Sequence, residues 1–461
     1  MSCSSLRLFA TSSAIAFWSG TLVAYADVTI SNKTTANVTC SGGVCTATAK
    51  KAVLNVGDLA AMLAAGDASV KSGSAKSIDV DQPLSWSTTS RLTLDARQSI
   101  TVKKPVRVAG AGAVTLTYGG SDGDLQFVGK GKLDIPNPGS SLIINGQTYM
   151  LASDVASLAA DIAQNIGGNF ALANDFNAVN ENYNDAPVQI FTGKFEGLGH
   201  TISNLNISER LDDTPTGLFG ETSGSVVRDI ALENISLSAN KANHAGAIAG
   251  RNSGVILHVK ASGKVRGHAP YVGGLVGYNN TSSIVEKSSA SVNVSGSGFG
   301  GIGGLVGFNL GTIDQSFAAG NVTVSTKAPA ATLAGGLVGK LSDGEITNSY
   351  SLGAVAAGGG GLIGAGNIAV LSSYSAGQIL QNGFSGGFVG RVDSNSVQHA
   401  YWDIDTSSES QGCGQGDCSN ITGLSDAQLK SGLPAGFDPK IWAQDPEINR
   451  GYPYLRNNPP Q

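Results

Sequence analysis

Gly274-Leu275-Val276-Gly277, Gly304-Leu305-Val306-Gly307 and Gly336-Leu337-Val338-Gly339 are three copies of the element that decides this fold. The same anchor recurs as Gly217-Leu218-Phe219-Gly220, Ala247-Ile248-Ala249-Gly250, Gly361-Leu362-Ile363-Gly364 and Gly387-Phe388-Val389-Gly390. The closing glycines stand 30, 27, 30, 32, 25 and 26 residues apart, and residues 217–390 hold 36 of the 63 glycines. The glycine excess, about twice the ordinary share, therefore belongs to the repeat.

A second element follows the anchors, as in Ile313-Asp314-Gln315-Ser316-Phe317, Ile346-Thr347-Asn348-Ser349-Tyr350, Val370-Leu371-Ser372-Ser373-Tyr374 and Val397-Gln398-His399-Ala400-Tyr401. A third is a short β-branched run such as Val292-Asn293-Val294 or Val322-Thr323-Val324. Alternating apolar residues punctuated by Gly, Ser and Asn are strand chemistry. One coil of such strands cannot bury its own apolar face, whereas stacked coils bury a continuous column. A propeller blade needs about 40–50 residues, which exceeds this period. We therefore expect an all-β chain, a right-handed parallel β-helix (β-solenoid) with short capping helices. Anchor glycines are expected at positive φ, allowing sharp corners. Asn252, Asn279 and Asn309, two residues past their anchors, suit left-handed turns and an Asn ladder. Phe317, Tyr350, Tyr374 and Tyr401 are expected to stack as a core or corner ladder.

The entry to the repeats reads Phe195-Glu196-Gly197-Leu198-Gly199-His200-Thr201-Ile202-Ser203-Asn204-Leu205. The C-terminal part carries Tyr401-Trp402-Asp403 and Gly451-Tyr452-Pro453-Tyr454-Leu455. With the anchors and the Ser-Tyr elements, these features resemble bacterial exported proteins with GLUG repeats, many of them adhesins of the filamentous-haemagglutinin type. The resemblance covers about 170–456. It is specific for the repeat class and less so for an activity, since such repeats also occur beside protease domains. Residues 27–150 resemble the N-terminal part of haemagglutinin-like exoproteins. They lack the Asn-Pro-Asn-Gly motif of two-partner secretion, of which Asn137-Pro138-Gly139 is a partial echo.

Residues 1–26 read as a secretory signal, with Arg7 the only charge, an apolar stretch from Leu8 to Val23 and an Ala24-Tyr25-Ala26 cleavage site. The remaining cysteines form two local pairs, Cys40/Cys45 and Cys413/Cys418, each enclosing a Gly-containing loop. In an oxidising compartment two short-loop disulfides are expected. The domain reading is a signal peptide 1–26, an irregular N-terminal β-solenoid region with cap 27–150, a regular solenoid 151–400 with anchors 217–390, and a C-terminal cap and tail 401–461. Helices are expected near Leu59–Leu63, at 154–165 with Ser153 as N-cap, and at 426–432 behind a Ser425/Gln428 capping box.

The chain has 461 residues, 41% hydrophobic and 14% charged, with a formal net charge of −5. That composition excludes general disorder, and the absence of basic runs argues against nucleic acid. After residue 26 no apolar stretch reaches the length of a membrane-spanning helix. Gly296-Ser297-Gly298-Phe299-Gly300-Gly301 has dinucleotide-motif spacing but leads into a strand anchor where a helix would be needed. Gly119-Gly120-Ser121-Asp122-Gly123 fits a nucleophile elbow by spacing, and its context reads as a turn. Asp403 and Asp405 read as a solvated cap turn. The five histidines include no His-Glu-x-x-His, so no protease activity is expected to be inherited.

These features lead to an exported chain, extracellular or on the outer cell surface, binding host or surface glycans or proteins. It is expected to be no enzyme, with no cofactor, no metal site, and a possible outer-membrane secretion partner. The alternative is a β-helix polysaccharide lyase or glycoside hydrolase. That alternative requires Arg228, Asp229, His258, Lys260, Glu286 and Lys287, on neighbouring coils, to converge in a groove.

Overall fold

The computed structural model describes residues 27–460 apart from 121–122, 212, 326–331, 357 and 381–383. The proposed signal segment, and Ser121 and Asp122 of the Gly119–Gly123 turn, lie outside the described residues. Half of the chain is strand (51%), wound into a parallel β-helix of about 13 turns. At ~4.8 Å per coil this stack is roughly 60 Å long.

Each regular coil visits the same five stations. Val276 of one anchor pairs in register with Val306, then Val338, Ile363 and Val389 on successive coils. All five are fully buried, as are Leu275, Leu305, Leu337, Leu362 and Phe388 beside them. Further stations carry parallel columns such as Val285–Ile313–Ile346–Val370 and Val294–Val322–Val355–Ile379. The fifth is a separate sheet made of His244–Ala245, Tyr271–Gly273, Gly301–Gly303, Leu333–Gly335 and Gly359–Gly360.

The anchor glycines do a different job from the expected one. None of them has a positive φ. An ideal Cβ on Gly274 would lie 2.0 Å from the Gly304 carbonyl oxygen, and one on Gly304 would lie 2.1 Å from that of Gly336. Gly336 and Gly361 repeat the pattern at 2.0 and 2.1 Å. Glycine is required here because one coil's backbone sits where a Cβ would be.

Polar ladders run between the coils. Asn252 Nδ2 donates to Asn279 Oδ1 at 2.8 Å, and Asn279 Nδ2 to Asn309 Oδ1 at 2.7 Å. These asparagines form the expected ladder, but they sit fully buried in strands and not at left-handed turns. Ser288, Ser316, Ser349 and Ser373 form a second ladder. Each hydroxyl accepts a backbone N–H from the preceding coil and donates to its own chain two residues back. The adjacent aromatics stack flat, Phe317 on Tyr350 at 4.7 Å and Tyr350 on Tyr374 at 5.0 Å.

The first half is a less regular stack with its own apolar interior from Val28 to Tyr149, reaching Ala171 and Leu198. Helix α1 (Val56–Ala65) buries Leu59 and Leu63, capped by Asn55. Helix α2 (Val155–Gln164) packs Val155, Leu158 and Ile162 into the second interior. Its cap is Asp154, whose carboxylate takes the Ser157 N–H at 2.6 Å, while the Ser153 hydroxyl only supports that carboxylate. Both disulfides form, Cys40–Cys45 across the Val38–Ser41/Val44–Ala47 hairpin and Cys413–Cys418 in the last coil.

After strands Cys413–Gln415 and Ile421–Leu424 complete that coil, the chain turns back along the flank as a strap. The Ser425/Gln428 capping box opens the short helix Asp426–Leu429. Tyr401 Oη then donates to the Ala435 carbonyl, Ser372 Oγ to Gly436, and Tyr374 Oη to Pro453. Trp442 covers Tyr350 and Tyr374, and Asn458 donates to the Ser288 and Gln315 carbonyls several coils back. The strap therefore buries the aromatic ladder, which lies on the flank and not in the solenoid interior.

Gly304→Ala is expected to lower unfolding stability by about 1–3 kcal/mol, because the added Cβ overpacks a backbone contact. Gly432→Ala, where a Cβ meets nothing within 4 Å, is the reference. Equal urea midpoints for the two variants would show that the coil contact is not limiting.

Candidate functional site

One corner of the coil is left-handed in every regular turn. It is occupied by Asp229, His258, Lys287, Gln315, Asn348, Ser372 and His399, all with φ between 44° and 55°. Asp, Asn and His tolerate this conformation better than most residues, and the corner leaves their side chains pointing away from the core. The strap covers the upper part of this column. Its end reaches the lower part, where Asp229, His258 and Lys287 stand on three successive coils.

There the strap end (Arg456–Pro460), the corner, and residues 126–131 of the first solenoid section enclose a cleft of about 500 Å³. Asp229, His258, Lys260 and Lys287 line it, joined by Glu233 and Thr201. Four of the six residues required by the enzyme alternative thus converge. Arg228 lies behind the wall, and Glu286 turns aside to pair with Lys287 at 2.8 Å.

A buried charge network backs the cleft. Arg228 Nε lies 2.5 Å from Asp229 and 3.4 Å from Glu196, and its Nη2 lies 2.8 Å from Asp124. The same nitrogen donates to the Leu125 carbonyl. His258 sits with Nδ1 3.2 Å from Asp229 and Nε2 3.6 Å from Asp124. Burial alone would raise the Asp229 carboxyl, but the Arg228 guanidinium and then His258 more than offset it and hold the carboxyl below its ordinary range. Glu196 goes the other way: burial first and the Asp229 carboxylate second push it well above the ordinary carboxyl range. Arg228 also ties the first solenoid section to the regular coils, since Asp124 lies 104 residues away in sequence.

Lys260 differs from its neighbours. It projects outward between Ala231 and Ser289 of the adjoining coils. Its ammonium has no hydrogen bond or ion pair among the described residues, and burial pushes that ammonium below the ordinary lysine range. A partly desolvated amine without a counter-charge can anchor an anionic group or accept a proton.

Other places named by sequence are structural. Asp403 is fully buried, caps the short helix Ile404–Ser407 and accepts from Tyr452 Oη, while Asp405 receives the Asp426 N–H. Gly296–Gly301 joins two strands. Among the described residues no three His, Cys, Asp or Glu side chains are placed to hold a metal ion, and no helix is long and apolar enough to cross a membrane. A shallower depression of about 820 Å³ lies on the first section beside Lys33, Lys103 and Lys130.

Residues 268–295 and 330–356 match the GLUG motif. The chain carries GLUG repeats. Residues 147–263, which include Glu196, Arg228, Asp229, His258 and Lys260, match the family described as the M26 IgA1-specific metallo-endopeptidase N-terminal region. A curated relative is halomucin of Haloquadratum walsbyi, 32% identical over 211 residues, which is 45% of this chain and 2% of halomucin. The chain thus spans only a small fraction of that relative's length. Two solved structures overlap in part. An IgA1 protease is 21% identical over 55% of this chain and 21% of its own, with a TM-score of 0.40. A Bacteroides ovatus protein named for immunoglobulin A1 protease is 16% identical over 67% of this chain and 93% of its own, with a TM-score of 0.43.

The expectation that this chain is no enzyme is overturned by the match over 147–263, which relates that stretch, distantly, to a peptidase family. The search for His-Glu-x-x-His asked for metal ligands. The match instead falls on a stretch described as an N-terminal region, so the missing motif was no guide to kinship.

Glu196 gives the network a pH signature. Because its folded pKa is raised, its contribution to folding stability is full below the ordinary carboxyl range and is lost as pH rises above that range. The depressed Asp229 acts oppositely, losing its contribution as pH drops below that range. Glu196→Gln, uncharged at every pH, is expected to flatten the fall above the ordinary carboxyl range in thermal melts. Parallel profiles for variant and parent would refute a retained proton.

Proposed function

We propose that this chain is a secreted or surface-displayed β-helix that engages an extracellular polymer, a glycan or a protein, through the corner cleft. The observation that carries this reading is Lys260, a half-buried and unpaired cation set in a 500 Å³ cleft with Asp229, His258 and Lys287. Export is supported by the signal-like segment 1–26, by the two disulfides, and by the GLUG and halomucin matches. The adhesin-like role implied by the repeat class fits a rigid rod with one chemically distinct opening. The peptidase relationship makes a protein partner, immunoglobulin A1 among them, as plausible a ligand as a glycan.

The convergence of His258 and Lys260 also favours a second reading, a polysaccharide lyase or glycoside hydrolase. An amine with a lowered pKa beside an imidazole suits proton abstraction next to a carboxylate. Hydrolysis needs two carboxyls about 5–10 Å apart across the scissile bond, and Asp229 is already committed to Arg228.

The test is retention of the full chain on immobilised polysaccharides, immunoglobulin A1 and cells, with the supernatant assayed for released sugar and cleaved protein. Saturable retention that drops at least ten-fold with Lys260→Gln is expected. Retention unchanged by Lys260→Gln and by His258→Gln would remove the cleft from the reading. Sugar release that these substitutions abolish would establish the second one.

A further inference from the structure

A second surface, sharing no residue with the cleft, is built from the positions that directly follow the anchors. Coil pairing puts Glu221, Arg251, Tyr278, Phe308 and Lys340, the residues after the closing glycines of five successive anchors, in one column in register. The neighbouring station adds His244 and Tyr271, which pair with each other. The four rings make one half-buried cluster. His244 stacks on Tyr278 at 4.9 Å, Tyr271 lies 4.8 Å from Phe308, and Tyr278 meets Phe308 edge-on at 5.2 Å.

Cations stand at both ends of this cluster. The Arg251 guanidinium lies 5.7 Å from the Tyr278 ring centre and the Lys340 ammonium 5.1 Å from that of Phe308. Neither has a carboxylate or hydrogen-bond partner among the described residues, and the Arg251 Nε is buried without one. Burial lowers His244 to about 4, so its ring is neutral at physiological pH and serves as an aromatic face. Aromatic residues with unpaired cations beside them are the composition of ligand-contact hot spots. The half-buried rings leave part of an aromatic surface in contact with solvent, which suits the C–H faces of a pyranose. The free guanidinium and ammonium suit carboxylates or sulfates. Arg251 and Lys340 are three coil steps apart, roughly 14 Å, the length of a short run of extended saccharide. The coil strands here pair on both sides, so no free strand edge is offered to a peptide.

We propose that His244, Tyr271, Tyr278 and Phe308, bracketed by Arg251 and Lys340, form a stacking platform for an acidic glycan lying along the solenoid axis. This rests on the reading of the chain as a binding module and gives it a second site and a ligand class.

Affinity electrophoresis of the full chain in native gels containing polygalacturonate, dextran or poly-glutamate tests it. The formal net charge of −5 disfavours general attraction to a polyanion, so retardation reports local chemistry. Polygalacturonate is expected to retard the chain, and dextran and poly-glutamate are not. Tyr278→Leu with Phe308→Leu removes the flat faces while keeping apolar volume, and Arg251→Gln with Lys340→Gln removes only charge. Each pair is expected to weaken the apparent affinity at least ten-fold. No retardation by polygalacturonate, equal retardation by poly-glutamate, or retardation untouched by both pairs would overturn the platform. Loss with Lys260→Gln but with neither pair would assign glycan binding to the cleft, leaving the binding-module reading intact and the platform refuted.

Discussion

Two successive coils of a β-helix can hydrogen-bond along their whole length only where no side chain stands between their backbones. At the inward turn of each coil this protein meets that condition with glycine, because a Cβ on Gly274, Gly304, Gly336 or Gly361 would lie about 2 Å from the next coil's carbonyl oxygen. The apolar columns supply most of the driving force, but they tolerate exchange among Val, Ile, Leu and Phe. The glycine contact is stricter, giving way once, to Ala247. It fixes the register, and the Asn, Ser and aromatic ladders all follow from that register, since each needs like residues one coil apart.

The same register makes the left-handed corner a column whose backbone is constant and whose chemistry is free. The corner asks only for a residue that accepts positive φ, and its side chain leaves the core. Along the column the residues change from Asp229, His258 and Lys287 to Gln315, Asn348, Ser372 and His399. The polar members lie under the strap, which bonds to their backbones and side chains. Asp229, His258 and Lys287 meet only the strap's last residues, across the cleft. A charged corner packed against Trp442 and Phe437 would need a counter-charge there, as Asp229 has in Arg228.

What the sequence disclosed was what repeats. The anchors, the Ser-Tyr element, the Asn ladder and both disulfides were legible because each recurs at the coil period or closes a short loop. The period also allowed Asp229, His258, Lys260 and Lys287 to be placed on adjoining coils. Asp124, Glu196 and Arg456 were out of reach, for they come from the irregular first section, the seam and the returning strap, where no period applies. The anchor glycines were misjudged because glycine serves positive φ and close backbone approach equally, and composition does not separate the two. Tyr278 and Phe308 were visible one residue past their anchors, yet the flanking cations became informative only when the pairing aligned Arg251 and Lys340 with them.

The strap also sets the electrostatics of the cleft. Within its own sheet Lys260 has small neighbours, Ala231 and Ser289, and on that surface alone a lysine would extend into water. Pro459 and Asn458 lie over this stretch of sheet, with Asn458 pinned to the Ser288 and Gln315 carbonyls. Lys260 and Pro459 line the same cavities, and burial there lowers the amine. Arg228, by contrast, is more deeply buried but paired, its Nε and Nη2 meeting Asp124, Asp229, Glu196 and a backbone carbonyl. A network serving only to join the two solenoid sections is complete with Arg228. Lys260 makes no ion pair in that joint, and its partial burial without a counter-charge is the feature on which the proposed binding role rests.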